Sequence, residues 1–574
     1  MSRRAGVPAL LGALLAVLLI GGCSTVPSSS PTVQVTQAPA RPTDDVGIEP
    51  LPPEAGATPE EIVRGFVDAA ASTVHGHPVA RQHLATAAGK SWSDEDGITI
   101  LSPNYSTVAT DAGSVQLSSR VVGTVDVHGV FTVGAGQIFT RTFELQQVRG
   151  QWRITDPPPG LLILQPDFER LYDERDAFFI DPTGSRVVPD PRYLIAGAAQ
   201  PTTLLERVLD GPSPGLADGV RNPLAGVQLR RAVTVTGRGV TVDLSGVGNQ
   251  PAPVLSEICA QLVWTLDQLS LPDVQILVDG EPVDLAGVPS VQNTDDWSSF
   301  DPDTARSGVV GLYLQAGALH TLDGKAAPGP AGAGAYGLTA AAAATDAKTG
   351  ALATLAGTTG GPGGATLLVG PYGGDLAPAL TAGSLTAPTM AATRAEVWTV
   401  RDGSSVLRVT SGTPPQPVDA PTLAGLGKVT RLRLSPDGVR AAVVVDGPAG
   451  PTLYVGTVVR APDGSVSLPS LAAVAPSLSQ VVDVAWMSSA SLIVLAGDPD
   501  QGRTVPYTVG VDGFGLTSLV TAYLPSQPNE VAAAPGRPPL VSSASSIWQR
   551  TGGTWVTLLP GQQPLAGGAP FYPV

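Results

Sequence analysis

Histidine is the commonest carrier of acid–base and metal chemistry near neutral pH. It occurs five times in 574 residues, as His75, His77, His83, His128 and His320. The first three are close together, but His75 and His77 are two apart, a poor helical spacing for a shared ligand, and Pro78 interrupts the helix. Solvated surface is the expectation there, and no metal. Residues 166–290 contain no His and residues 291–574 only His320, so a Ser-His-Asp or Cys-His nucleophile lacks its base in either stretch. The carboxylate pairs Asp301/Asp303 and Asp498/Asp500 leave a route to hydrolysis, since glycosidase acids work in pairs across a cleft. Turn residues are the simpler reading of both. Asp498-Pro499-Asp500-Gln501-Gly502 opens like a calcium loop but lacks the closing Glu. Gly332-Ala333-Gly334-Ala335-Tyr336-Gly337 spells G-x-G-x-x-G, yet Ala326-Ala327-Pro328-Gly329-Pro330 before it cannot be the buried strand a dinucleotide site needs. A loop between strands is expected. No cofactor, catalytic residue or metal ligand is assigned.

The elements around these residues begin with an export signal. Ser2-Arg3-Arg4 is a short positive segment, and Val7 to Ile20 is an uncharged run, short for a membrane span and suited to a signal peptide. Ile20-Gly21-Gly22-Cys23 follows. Small residues before a Cys at that place resemble a bacterial lipobox, which implies a signal peptide over 1–22. It also implies that Cys23 carries N-palmitoyl and S-diacylglycerol groups. With Cys23 acylated, Cys259 is the lone remaining cysteine and no internal disulfide forms. Cys259 sits on an apolar helical stripe and reads as a buried structural thiol. Residues 23–55 are a tether: seven prolines lie between Ser24 and Pro53, and such a segment buries no core. At ~3 Å per residue it reaches roughly 90 Å.

Three folded regions are expected beyond it. Residues 56–165 read as an α+β domain. Thr58-Pro59-Glu60-Glu61 carries the signature of a helix start, and Ile62, Val63, Phe66, Val67, Ala70 and Val74 repeat at helical spacing. Strands follow, packed as a curved antiparallel sheet. Residues 166–290 hold a hairpin around Asp181-Pro182-Thr183-Gly184, helices near Leu204–Leu209 and Val254–Leu269, and strands near Val240–Leu244 and Val274–Val278. Leu205-x-x-x-Leu209-x-Gly211-Pro212, Val242-Asp243-Leu244-Ser245, Trp264-Thr265-Leu266 and Val278-Asp279-Gly280 resemble the GerMN domain of spore-germination proteins. The resemblance implies an α/β sandwich used for assembly and binding, without known catalysis.

In residues 291–574 repeats matter more than motifs. Leu434-Ser435-Pro436-Asp437-Gly438 heads a strand–turn–strand unit. Similar units start near Ala387-Pro388-Thr389, Trp486-Met487 and Ala534-Pro535-Gly536, with a fainter one near Ala340. The starts fall at a spacing that suits four-stranded blades around a central channel. The length suits about six blades, with a pair of β-sandwiches as the competing architecture. Trp297, Trp398, Trp486, Trp548 and Trp555 are expected in the propeller core. Lipobox, tether, α+β domain, GerMN-like domain and propeller, in that order, resemble the actinobacterial LpqB lipoprotein family. That resemblance implies a cell-envelope accessory of the Mtr two-component system, bound to the extracytoplasmic domain of the sensor histidine kinase MtrB.

Composition narrows the classes independently. The chain carries 33 basic and 49 acidic residues, a net charge of −16. Phosphate binding along a nucleic acid needs a basic surface, so no nucleic-acid partner is expected. The same sign argues against electrostatic attachment to an anionic bilayer and leaves the lipid as the anchor, on the extracytoplasmic face. A non-enzymatic envelope protein that acts by contact is the leading expectation. A wall-glycan or peptide receptor, or a carboxylate-based wall hydrolase using the propeller channel, are the alternatives.

Overall fold

The computed structural model describes residues 50–574 except 112, 304–309, 347, 411, 499, 501, 526, 544–545, 559–562 and 564. The signal segment, Ile20, Gly21, Gly22, Cys23 and most of the tether lie outside the described residues.

The first helix, Pro59–Ala70, begins on a reciprocal cap. Thr58 Oγ1 accepts from the Glu61 amide, and Glu61 Oε2 accepts from the Thr58 amide at 2.8 Å. Two orphan helix donors are thereby satisfied. Ile62, Val63, Phe66, Val67 and Ala70 are buried as their spacing requires. Val74 lies past the helix end and is exposed, because the stripe outruns the helix. The helix packs on a seven-stranded sheet. Its spatial order is Gln151–Ile154, Ile138–Val148, Ser114–Val125, Ile98–Leu101 and Leu161–Leu164, with Ser106–Asp111 and Phe131–Val133 also paired to Ser114–Val125. The sheet is mixed, not wholly antiparallel: Ile98–Leu101 and Leu161–Leu164 run parallel. Parallel neighbours need a long crossover, and the intervening strands supply it.

A hairpin, Tyr172–Ile180 with Val187–Ile195, opens the second region. Its turn is built on Asp181, whose Oδ1 accepts from the amides of Ser185 and Arg186, each at 2.8 Å. The strands Gly239–Ser245 and Asp273–Val278 pair in parallel. The helix Ala252–Asp267 connects them, and Gln200–Asp210 packs beside it. Cys259 is fully buried in this core, and burial pushes its thiol up to about 12, which makes it inert as a nucleophile. Trp297 belongs here and not to the propeller. It packs with this second core, and its Nε1 donates to Gln292 Oε1 at 3.0 Å.

The remainder is a ring of six sheets, with a small ribbon of Val459–Arg460 and Val466–Ser467 beside it. The innermost strands are Leu338–Thr345, Thr389–Ala391, Lys428–Leu434, Ser479–Ser488, Glu530–Ala532 and Gly568–Phe571, and each touches the next around the circle. The ring is closed by distant partners: Gly568–Phe571 pairs with Leu312–Gln315 to complete the first blade. This is a six-bladed β-propeller. The five repeat starts legible in the sequence fall in or just beside five of the inner strands.

Candidate functional site

The inner strands surround a cavity of about 350 Å³. Its walls are built largely from small residues, among them Ala340, Ala387, Ala534 and Pro535, which keeps the bore open. Four arginines line it. Arg431 and Arg433 alternate along the inner strand Lys428–Leu434, so both face the bore, as residues two apart on a strand must. Arg537 follows the inner strand Glu530–Ala532. Arg186 comes from the second region's hairpin, so two domains build this site. Two acidic side chains share the lining, and protein donors engage both. Asp483 Oδ1 accepts from Arg431 Nε at 3.1 Å, and its Oδ2 accepts from the Val531 amide at 3.0 Å. Glu530 Oε2 accepts from Ser542 Oγ and the Ala569 amide, each at 2.6 Å.

Beside the channel, the domains meet in a buried seam. The loop after the strand Arg503–Gly510 carries Phe514, whose ring lies 4.7 Å from Tyr193, 5.2 Å from Phe131 and 5.8 Å from Phe168. One propeller side chain thus packs against rings from both preceding regions. Gly513 makes the approach possible. Its φ is +93°, and a Cβ there would lie 2.5 Å from the Val474 carbonyl oxygen and 3.0 Å from Val133 Cβ, so neither conformation nor space admits a side chain. Tyr193 donates its hydroxyl to Asp512 at 2.9 Å. Arg440 Nη2 donates to the Pro189 carbonyl at 2.6 Å, and Thr457 Oγ1 to the Gly215 carbonyl at 2.6 Å. Ser489 donates its amide to Asp303 Oδ1 at 2.6 Å. Val439 enters the second region's hydrophobic core.

The seam is rich in acids. Burial, reinforced by the Glu174 carboxylate, pushes Asp176 up to about 7. Asp176 Oδ1 is buried without a hydrogen-bond partner. Burial likewise raises Asp303 to about 6, despite its bonds from Ser489, and it raises Asp512 and Asp437 above the usual carboxylate range.

The residues weighed for chemistry are placed as follows. His77 is buried, not solvated, and bonds Asp94 through Nδ1 at 2.7 Å, while the buried His83 turns its Nδ1 to the Val79 carbonyl. Among the described residues no group of three His, Cys, Asp or Glu side chains is disposed to hold a metal ion. Asp301 and Asp303 are joined in a turn, the Asp303 amide donating to Asp301 Oδ1, and the Asp500 amide donates to Asp498 Oδ1 in the same way. Gly332-Ala333-Gly334 lies at a short helix end and leads into the strand Leu338–Thr345, not into a helix. One pattern escaped the sequence reading: Gly211-Pro212-Ser213-Pro214-Gly215 spells G-x-S-x-G. It follows a helix instead of a strand, and Ser213 Oγ donates to Asp190 Oδ1 at 2.8 Å, so it has neither the strand-to-helix elbow nor a histidine base.

Comparisons with known proteins cover the whole folded body. A family model described as the Lipoprotein LpqB beta-propeller domain matches residues 317–573, one described as Lipoprotein LpqB, N-terminal domain, matches 52–169, and one described as Sporulation and spore germination matches 176–284. Lipoprotein LpqB of Rhodococcus opacus is 32% identical over 540 residues, spanning 88% of this chain and 87% of that protein. Its counterpart in Mycolicibacterium smegmatis is 29% identical over 592 residues, spanning 97% and 98%. Among solved structures, the first GerMN domain of the sporulation protein GerM from Bacillus subtilis is similar at 22% identity and a TM-score of 0.19, covering 21% of this chain and 98% of that one. The chain belongs to the Lipoprotein LpqB family and is a lipoprotein, which implies a membrane-anchored protein of the cell envelope.

Proposed function

From that membership we propose that the chain is a non-enzymatic accessory of a two-component system. Its body docks on the extracytoplasmic domain of the sensor histidine kinase MtrB. Acylated Cys23 holds it at the extracytoplasmic face of the membrane. The observation that carries this reading is the seam: Phe514, Tyr193 and Arg440 join three domains into one stiff body, which presents a preorganised surface and loses little freedom on binding. Docking shifts the kinase between signalling states to the extent that its affinities for them differ. Anchoring both partners in one membrane raises their effective concentration.

The test is capture of the purified MtrB ectodomain by the full lipoprotein in membrane nanodiscs. Retention above nanodiscs carrying only residues 1–55 supports the reading. Equal retention on both overturns it. A carboxylate hydrolase is the weaker reading, because Asp483 and Glu530 are both committed to protein donors.

A further inference from the structure

We propose that the propeller channel binds a small molecule bearing a phosphate or carboxylate group, held by the guanidinium groups of Arg431, Arg433 and Arg537. This goes beyond docking to another protein. Three independent observations support it. The first is sign. A chain with 49 acidic and 33 basic residues lines its bore with four arginines against two acidic side chains. The second is commitment. Glu530 is taken up by Ser542 and Ala569, and Asp483 by Val531 and the two arginines, from Arg431 Nε at 3.1 Å and Arg433 Nη2 at 3.7 Å. Asp483 therefore offsets one positive charge of that pair and leaves the other. Both arginine side chains keep solvent access, at 31% and 24%, while Asp483 is buried at 2%. Arg431 Nη1 also donates to the Thr430 carbonyl at 2.9 Å and Arg433 Nη1 to the Leu432 carbonyl at 3.4 Å, so the heads are fixed in place, and their remaining N–H groups are the donors for an oxyanion. The third is room: about 350 Å³, within the range of small-molecule sites. Alanine and proline walls admit a slim body, and Arg186 from the neighbouring domain bounds the space.

The test is calorimetric titration of the full lipoprotein in detergent micelles. Pyrophosphate and glycerol 3-phosphate form the phosphate arm, citrate the carboxylate arm, and uncharged glycerol the control. Saturable one-to-one binding in either anionic arm, weakening with added salt, is expected. Two variants locate it. The triple variant Arg431→Gln, Arg433→Gln, Asp483→Asn removes the charges together, so no buried carboxylate is left unpaired. Ala534→Phe obstructs the bore and leaves every charge in place. Each is expected to weaken binding at least about tenfold. If the triple variant fails to fold, Ala534→Phe decides. No saturable binding by any anion in the millimolar range, or binding unchanged in a folded variant, overturns the proposal.

Discussion

The seam and the channel lie side by side and draw on the same residue types, arginine and aspartate, to opposite ends. In the seam the charges are withdrawn from water. Arg440 reaches a backbone carbonyl, and Arg192, almost fully buried, pairs with Asp190 at 2.9 Å. In the channel Asp483 is buried and the guanidinium groups of Arg431 and Arg433 keep contact with solvent. A buried ion contributes to stability only when every partner is present, and it becomes costly when one is removed. A partly exposed arginine costs the fold little to keep and remains able to meet a ligand. The difference separates residues that hold the body together from residues available for binding.

Four variants test that contrast. Arg440→Met takes from Asp176 its cation and from Asp437 the stronger of its two, Arg440 and Arg186, and is expected to cost about 3–5 kcal/mol. Calorimetry then shows the propeller melting apart from the rest; a single unshifted transition contradicts the rigid seam. Phe514→Ala empties the aromatic cluster and costs about 2–4 kcal/mol, read by chemical denaturation. In the channel, Arg431→Gln with Arg433→Gln costs only about 1–3 kcal/mol through the orphaned Asp483, and adding Asp483→Asn recovers most of it. A loss as large as that of Arg440→Met erases the distinction.

The smallest effect is one of pH. Asp176 titrates near 7 in the fold and near 3.9 in the unfolded chain. Between those values the folded state binds the extra proton, so stability falls as pH rises from about 4 to about 7 and then levels. Asp176→Asn removes that fall. A shift of that size sets an upper limit of about 4 kcal/mol, and because Asp176 is only partly buried its advantage over the parent is expected to grow across the window by about 1–2 kcal/mol. Denaturation at both ends of the window measures it, and an advantage already complete at the acid end contradicts the assignment.

Much of the fold was legible because its signals are local. Thr58 and Glu61 mark a helix start by themselves, and Ser435-Pro436-Asp437-Gly438 marks the turn after an inner strand. The first blade was not legible, since its inner strand reads Gly568-Ala569-Pro570-Phe571, without alternation, and its partner lies about 250 residues earlier. Trp297 falls in a different core from the one its place in the chain suggests, because its partners, Gln292 and Trp264, are set by the second region's packing. The channel had one available signal, the alternation Arg431-Leu432-Arg433, with Leu432 toward the blade and both arginines toward the bore. Arg186 and Phe514 had none, because domain docking alone brings them to their places.

The pairing of Gly568–Phe571 with Leu312–Gln315 also constrains how the molecule is made. During synthesis the first blade must wait, incomplete, until the whole ring has been translated. Its open edge is meanwhile exposed to other strands, and closure across so many residues is intrinsically slow. Closure of the circle therefore comes late, and a polypeptide interrupted before Gly568–Phe571 would keep a gap in its wall.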